Sequence, residues 1–154
     1  MLAGMKTLTR RTTFDVACAP ERVFPLLCPV REYDWIADWS CQMVHSESGV
    51  AEPDCVFRTE FDGEPMTWVV SRYEPPTRIE FTCFVPNRYV MRLQIALAGD
   101  EGGTRLDWTR RWLSLGPAGD ERLAARTERE HEHLMVRLRG SLRHYLETGD
   151  MLRP

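Results

Sequence analysis

Residues 104–148, TRLDWTRRWLSLGPAGDERLAARTEREHEHLMVRLRGSLRHYLET, change hydrophobic period partway along. Over 104–115 the repeat is two. Leu106, Trp108, Arg110, Trp112 and Ser114 share one face, and Arg105, Asp107, Thr109, Arg111 and Leu113 share the other. That is the pattern of a strand with one buried side. Gly116-Pro117-Ala118-Gly119 stops it. From Asp120, a residue suited to an N-cap, the period becomes helical and runs to about Thr148, with Gly149 as the stop. On a wheel of about 100° per residue, Ala124, Thr127, His131, Leu134, Met135, Leu138, Leu142 and Tyr145 form one stripe. A single helix of this length, about 40 Å at 1.5 Å per residue, needs a broad surface to cover its stripe.

The rest of the chain supplies that surface. Strand patterns occupy residues 6–17, 41–47, 54–62, 65–74, 77–85 and 88–98, ahead of the one at 104–115. The joints are short and turn-like: Ser48-Gly49, Asp62-Gly63, Pro75-Pro76, Pro86-Asn87 and the stretch 100–103. Such joints imply an antiparallel meander. After the first strand, Pro20 opens a short helix, PERVFPLL, that Pro25 should shorten or kink. A second short helical segment starts at Val30. The expectation is an α+β fold: a curved seven-stranded antiparallel sheet, wet outside, around one long C-terminal helix.

Each strand offers an apolar inner face. Tyr89, Met91, Leu93, Ile95 and Leu97 share one; Ile79, Phe81, Cys83 and Val85 another; Phe57, Thr59 and Phe61 a third. Arg78, Glu80, Arg88, Arg92, Arg105 and Asp107 fall on the wet side as cross-strand partners. A helix stripe over a broad curved face can leave an apolar pocket edged by a few polar groups, the usual form of a small-molecule site. A fully packed core is the alternative.

The chain of 154 residues is most simply one domain, residues 1–154, of ordinary soluble composition, with 43% hydrophobic and 28% charged residues. A net charge of −3 argues against a general nucleic-acid binder. No run of 18 apolar residues predicts a membrane span. Five scattered cysteines without a C-x-x-C pair read as reduced thiols in a cytoplasmic protein. Met1 and Met5 both serve as candidate starts. The composition leaves the oligomeric state, monomer or dimer, open.

The stretch 128–135, EREHEHLM, brings two histidines close together. A helical zinc pair needs ligands four residues apart on one face. The residue four after His131 is Met135, and His133 points away, so no metal is expected here. His131 lies on the apolar stripe. It is either a core histidine satisfied by hydrogen bonds or a ligand contact in a cavity. Arg110 sits between Trp108 and Trp112 on an inward face, where a charge costs several kcal/mol unless paired or wet. It either stacks and pairs structurally or binds an anion or carbonyl.

The stretches APERVFPLL, VREYDWIADW, VSRYEPPTRIEF and GGTRLDWTRRW, with the long C-terminal helix, resemble the START-like, or SRPBCC, superfamily, including bacterial polyketide cyclase/dehydrase-like proteins. The resemblance spans nearly the whole chain and rests on element order and the PP-turn. It implies the helix-grip fold, apolar ligands held between sheet and helix, and enzymatic activity in some members. No cofactor is expected.

Three functions follow as expectations. The first is binding of an apolar or amphipathic ligand by Trp35, Phe57, Thr59, Phe61, Phe81, Cys83, Tyr89, Met91, Leu93, Trp108, Arg110, Trp112, Thr127, His131, Leu134, Met135 and Leu138. The second is an enzyme of the cyclase, dehydratase or hydrolase kind, with His131 as base, Arg110 as electrostatic clamp and Tyr89 as proton donor. It requires His131 and Arg110 to open on a shared cavity. Asp34 and Asp38 read as capping and solvated loop acids. The third is a protein-interaction domain, similar to START-like activators of heat-shock ATPases, using exposed aromatics at 33–39.

Overall fold

The structure, a computed structural model, describes residues 6–61 and 63–154. Met1, Met5 and Asp62 of the expected Asp62-Gly63 turn lie outside the described residues. Seven strands appear in chain order: β1 (Thr7–Val16), β2 (Gln42–His45), β3 (Val56–Phe61), β4 (Glu64–Glu74), β5 (Arg78–Val85), β6 (Tyr89–Asp100) and β7 (Gly103–Ser114). They form one antiparallel sheet in the order β1-β7-β6-β5-β4-β3-β2. The meander accounts for β2 through β7. The non-local step pairs the first strand with the last, with Arg10 opposite Arg110 and Thr12 opposite Trp108.

Alternation sets the inner face as expected. Tyr89, Met91, Ile95 and Leu97 on β6, and Leu106, Trp108 and Trp112 on β7, are all buried. Fully burying one large aliphatic side chain contributes about 1.5–3 kcal/mol, so these rows and the helix on them dominate the stability.

The helices depart from expectation in three places. Residues 20–27 split into a single α-turn, α1 (Pro20–Val23), and a 3₁₀ turn, Phe24–Leu27, with Pro25 in its first positions. The segment from Val30 is one 3₁₀ turn, Arg31–Asp34. The C-terminal rod is two helices, α2 (Pro117–Ala124) and α3 (Glu128–Thr148). The break follows from Thr127. Its hydroxyl accepts the Glu130 N–H at 3.1 Å and so caps α3, in the T-x-x-E arrangement of a capping box. Asp120 is therefore not the cap of the long helix. It is buried inside α2 and takes an ion pair from Lys6 at 2.6 Å. Gly149 does stop α3, in the left-handed conformation with φ 76° and its N–H on the Tyr145 carbonyl at 2.7 Å.

α3 lies on the sheet through His131, Met135, Leu142 and Leu146. Its C-terminal half is tied down by Arg143, which donates to the Asp15 carbonyl at 3.0 Å, and by Arg22, which donates to the Leu146 carbonyl at 2.9 Å. α2 docks at the start of β6 through Gly119. A Cβ at that position would collide with the Arg88 carbonyl oxygen and Ser114 Oγ, so only glycine allows this approach.

Candidate functional site

Polar groups gather where α2 and the start of α3 cross β1, β6 and β7. His131 is 4% exposed and both ring nitrogens are engaged. Arg110 Nη2 donates to Nδ1 at 2.8 Å, which assigns the proton to Nε2, and Nε2–H then donates to Thr12 Oγ1 at 2.8 Å. Burial, the nearby guanidinium of Arg110 and that of Arg10 push the His131 pKa down to about 4, against a weaker pull from Glu128. The imidazole is thus neutral and acts as an acceptor for Arg110. Arg110 stacks on Trp112, 4.8 Å from the ring centroid. Burial and the charge of Arg126 lower its pKa to about 10, which leaves it cationic at neutral pH.

A second network adjoins the first. Tyr89 donates its hydroxyl to Glu64 Oε1 at 2.6 Å and accepts from Arg126 Nη2 at 3.2 Å. Glu64 Oε2 takes Arg88 at 2.6 Å and Arg122 at 2.8 Å. Burial pushes the Glu64 carboxyl up. The hydrogen bonds from Tyr89 and Arg88 and the charge of Arg122 outweigh it and hold the carboxyl below its ordinary range. Burial and the hydrogen bond to Glu64 push Tyr89 up to about 12. Arg88 was expected among the wet-side partners. Instead it reaches over the strand end to this buried carboxylate.

The structure brings Arg110, His131 and Tyr89 into one region, with the guanidiniums of Arg110 and Arg126 both against the Trp112 ring. Glu64, Arg10 and Arg126 belong to the same region and were not singled out from the sequence. Several expected lining residues have other duties. Thr127 is exposed and caps α3. Trp35 is sealed in the core, its Nε1–H on the Leu26 carbonyl at 2.7 Å. Phe57 stacks on Trp68 at 5.8 Å and meets Phe81 edge-on at 6.0 Å, while Thr59 accepts the Trp68 indole N–H at 2.9 Å. Phe61, at the end of β3, is 41% exposed beside Trp39. Cys83 is buried, which pushes its thiol up to about 12 and leaves it unreactive. Met91, Trp108 and Met135 are sealed, whereas Leu93, Leu134 and Leu138 stay half-buried.

Two hollows among the described residues bear on the site. One, about 220 Å³, is bordered by Phe24, Pro25, Cys28, Val50, Tyr73 and Ile79. The other, about 200 Å³, lies between β1 and α3 beside Thr12, Phe14, Met135 and Val136. Both are smaller than a drug-sized pocket of roughly 300–1,000 Å³. Neither is bordered by Arg110, His131 or Tyr89. Asp34 pairs with Arg31 at 2.8 Å on the surface, the modest role expected of it. Of the aromatics at 33–39, Tyr33 alone is exposed; Trp39 is half-buried with its indole N–H on the Pro29 carbonyl at 2.7 Å.

A family model described as polyketide cyclase/dehydrase and lipid transport matches residues 7–143. Among solved structures, the chain is similar to DynU16, a protein of the dynemicin biosynthetic locus, with 21% identity and a TM-score of 0.64. That match covers 92% of this chain and 48% of DynU16, so the chain spans about half of that protein's length. CalU16 from Micromonospora echinospora is 14% identical with a TM-score of 0.60, over 88% of this chain and 75% of that one. Major latex-like protein 151 from Panax ginseng is 10% identical with a TM-score of 0.66, over 91% and 97%. At these identities the likeness is one of fold. No curated protein sequence matches the chain.

Proposed function

The chain belongs to the polyketide cyclase/dehydrase and lipid transport family, and from that premise we propose that it binds an apolar or amphipathic small molecule between the inner face of the sheet and α3. One observation carries the reading. Leu93 points inward at the middle of β6, between Met91 and Ile95, which are 3% and 2% exposed, yet Leu93 itself is only half-buried. On α3, Leu134 and Leu138 are half-buried in the same way, while His131, Met135 and Leu142 are sealed. A helix closed flush on the sheet would seal both rows. The partly covered apolar residues are the surface a greasy ligand would cover. The five free cysteines fit a reducing, cytoplasmic setting for this binding.

Catalysis by His131 has weaker support. A general base needs a free lone pair within reach of a substrate proton. The Nδ1 lone pair of His131 is taken by Arg110, and its low pKa makes it a poor base. Its role in this reading is to position Arg110.

The test is native mass spectrometry after incubation with a mixture of lipids and apolar metabolites. The wild-type protein retains a ligand, and Leu138→Trp, which covers the half-buried row with its own ring, retains less with its helix content unchanged. A wild-type protein that retains nothing, or a variant that retains as much, defeats the proposal.

A further inference from the structure

Three arginines meet at this site with too little negative charge among them. Arg110 and Arg126 lie over the same indole, their Cζ atoms 4.8 and 5.2 Å from the Trp112 ring centroid. Arg10 sits directly opposite Arg110 in the β1–β7 register and donates to the Arg126 carbonyl at 3.1 Å. Like charges facing each other across a strand pair repel, and even a half-buried cation is costly to leave without a counter-charge. Several other arginines of the sheet and its margins do pair with acids: Arg11 with Asp107, Arg105 with Asp15, Arg88 with Glu64. Arg92, opposite Arg111, lies with it on the outer face, where solvent screens the pair. Among the described residues, neither Arg10 nor Arg110 has such a partner, and the buried Nε of Arg10, Arg110 and Arg126 has no acceptor. The acids closest to the cluster are committed or solvated. Glu64 already holds Arg88 and Arg122 and stands 4.0 Å from Arg126; Glu130, 3.3 Å from Arg126, has a side chain 56% exposed.

We infer that Arg10, Arg110 and Arg126 form a receptor for an oxyanion head group, a carboxylate or a phosphate, carried on the apolar molecule held between sheet and α3. The inference rests on the small-molecule reading above and narrows its ligand to acidic amphiphiles. The forks are pre-set: Trp112 supports two of them, and neutral His131 holds Arg110 by one nitrogen. Planar guanidiniums fixed in this way match oxyanions and lose little freedom on binding. The capped N-terminus of α3 begins one residue after Arg126 and adds its positive dipole end. The tail has its place next door. Leu93 is the cross-strand partner of Arg110, so the half-buried apolar row starts where the charged cluster ends.

Calorimetric titration with dodecanoate, dodecyl phosphate and dodecanol at neutral pH tests the idea. At least one of the two acids should bind about tenfold or more tighter than the alcohol, the gain expected of hydrogen bonds to a charged group. Comparing the two acids then identifies the preferred oxyanion. Arg110→Gln and Arg10→Gln should each shrink the acid-to-alcohol ratio to within about threefold and leave dodecanol binding unchanged. Arg10→Gln, altered on an edge strand, carries the test if Arg110→Gln does not fold. Equal affinity for acids and alcohol in the wild-type protein overturns the oxyanion receptor alone. Failure of all three to bind overturns the small-molecule reading and the receptor with it.

Discussion

Acid should weaken this fold through His131, and the effect can be sized. An unfolded histidine titrates near 6.5; in the folded protein, burial beside Arg110 and Arg10 brings the value down to about 4. Between those values the unfolded chain binds the proton and the folded chain does not. Stability therefore rises with pH across this window and is fully present above about 6.5. Falling pH removes it progressively, by about 1.4 kcal/mol at pH ~5.5 and about 2.6 kcal/mol at pH ~4.5 relative to neutral pH. Carboxylates titrate in the lower part of the same window, so the comparison must cancel them. His131→Gln keeps a donor and an acceptor in place and cannot titrate. Urea unfolding of both proteins from pH ~7.5 to ~4.5 gives two stability curves. The wild-type curve should fall more steeply, and the difference between the two should close by about 2–3 kcal/mol as the pH drops. Parallel curves would refute the neutral, Arg110-bound histidine, whatever constant offset the substitution introduces.

Three further substitutions probe the frame around the site. Thr127→Ala removes the cap that starts α3 and should cost about 1 kcal/mol in denaturant unfolding; no loss would mean that the break between α2 and α3 is set by packing alone. Glu64→Gln leaves Arg88, Arg122 and Arg126 without their shared buried carboxylate and should cost about 3 kcal/mol by the same assay. An unchanged midpoint would show those arginines to be satisfied by solvent. Gly119→Ala forces α2 away from the Arg88 carbonyl and should lower stability by about 2 kcal/mol; a neutral result would mean that α2 docks less closely.

What could be read from the sequence was whatever is periodic. Alternation put Tyr89, Met91 and Trp112 inside and aimed Arg110 the same way; the helical repeat put His131 on the covered stripe. The two meet at 2.8 Å. The parts that escaped depend on contacts between distant segments. Arg10 joins the cluster because β1 pairs with β7, and that register brings together residues 100 positions apart without any local pattern. Glu64 opens β4 beside a turn and reads as a solvated hairpin acid. It is buried because Arg88 and Arg122 arrive from other elements. The split of the C-terminal rod was different, for its signal was present: Thr127 and Glu130 spell a capping box. The apolar stripe continues through that point, and its period masked the cap. Phe61 keeps the inward phase of β3 but lies at the strand's end, where the core no longer covers it.

The most direct test of binding between sheet and helix is a methyl-resolved NMR titration of the full chain with dodecanoate. The account predicts the largest shift changes at the methyls of Leu93, Leu134 and Leu138 and at the Trp112 indole. Changes confined to Val50, Ala51 and Ile79, around the hollow bordered by Phe24 and Tyr73, would contradict it.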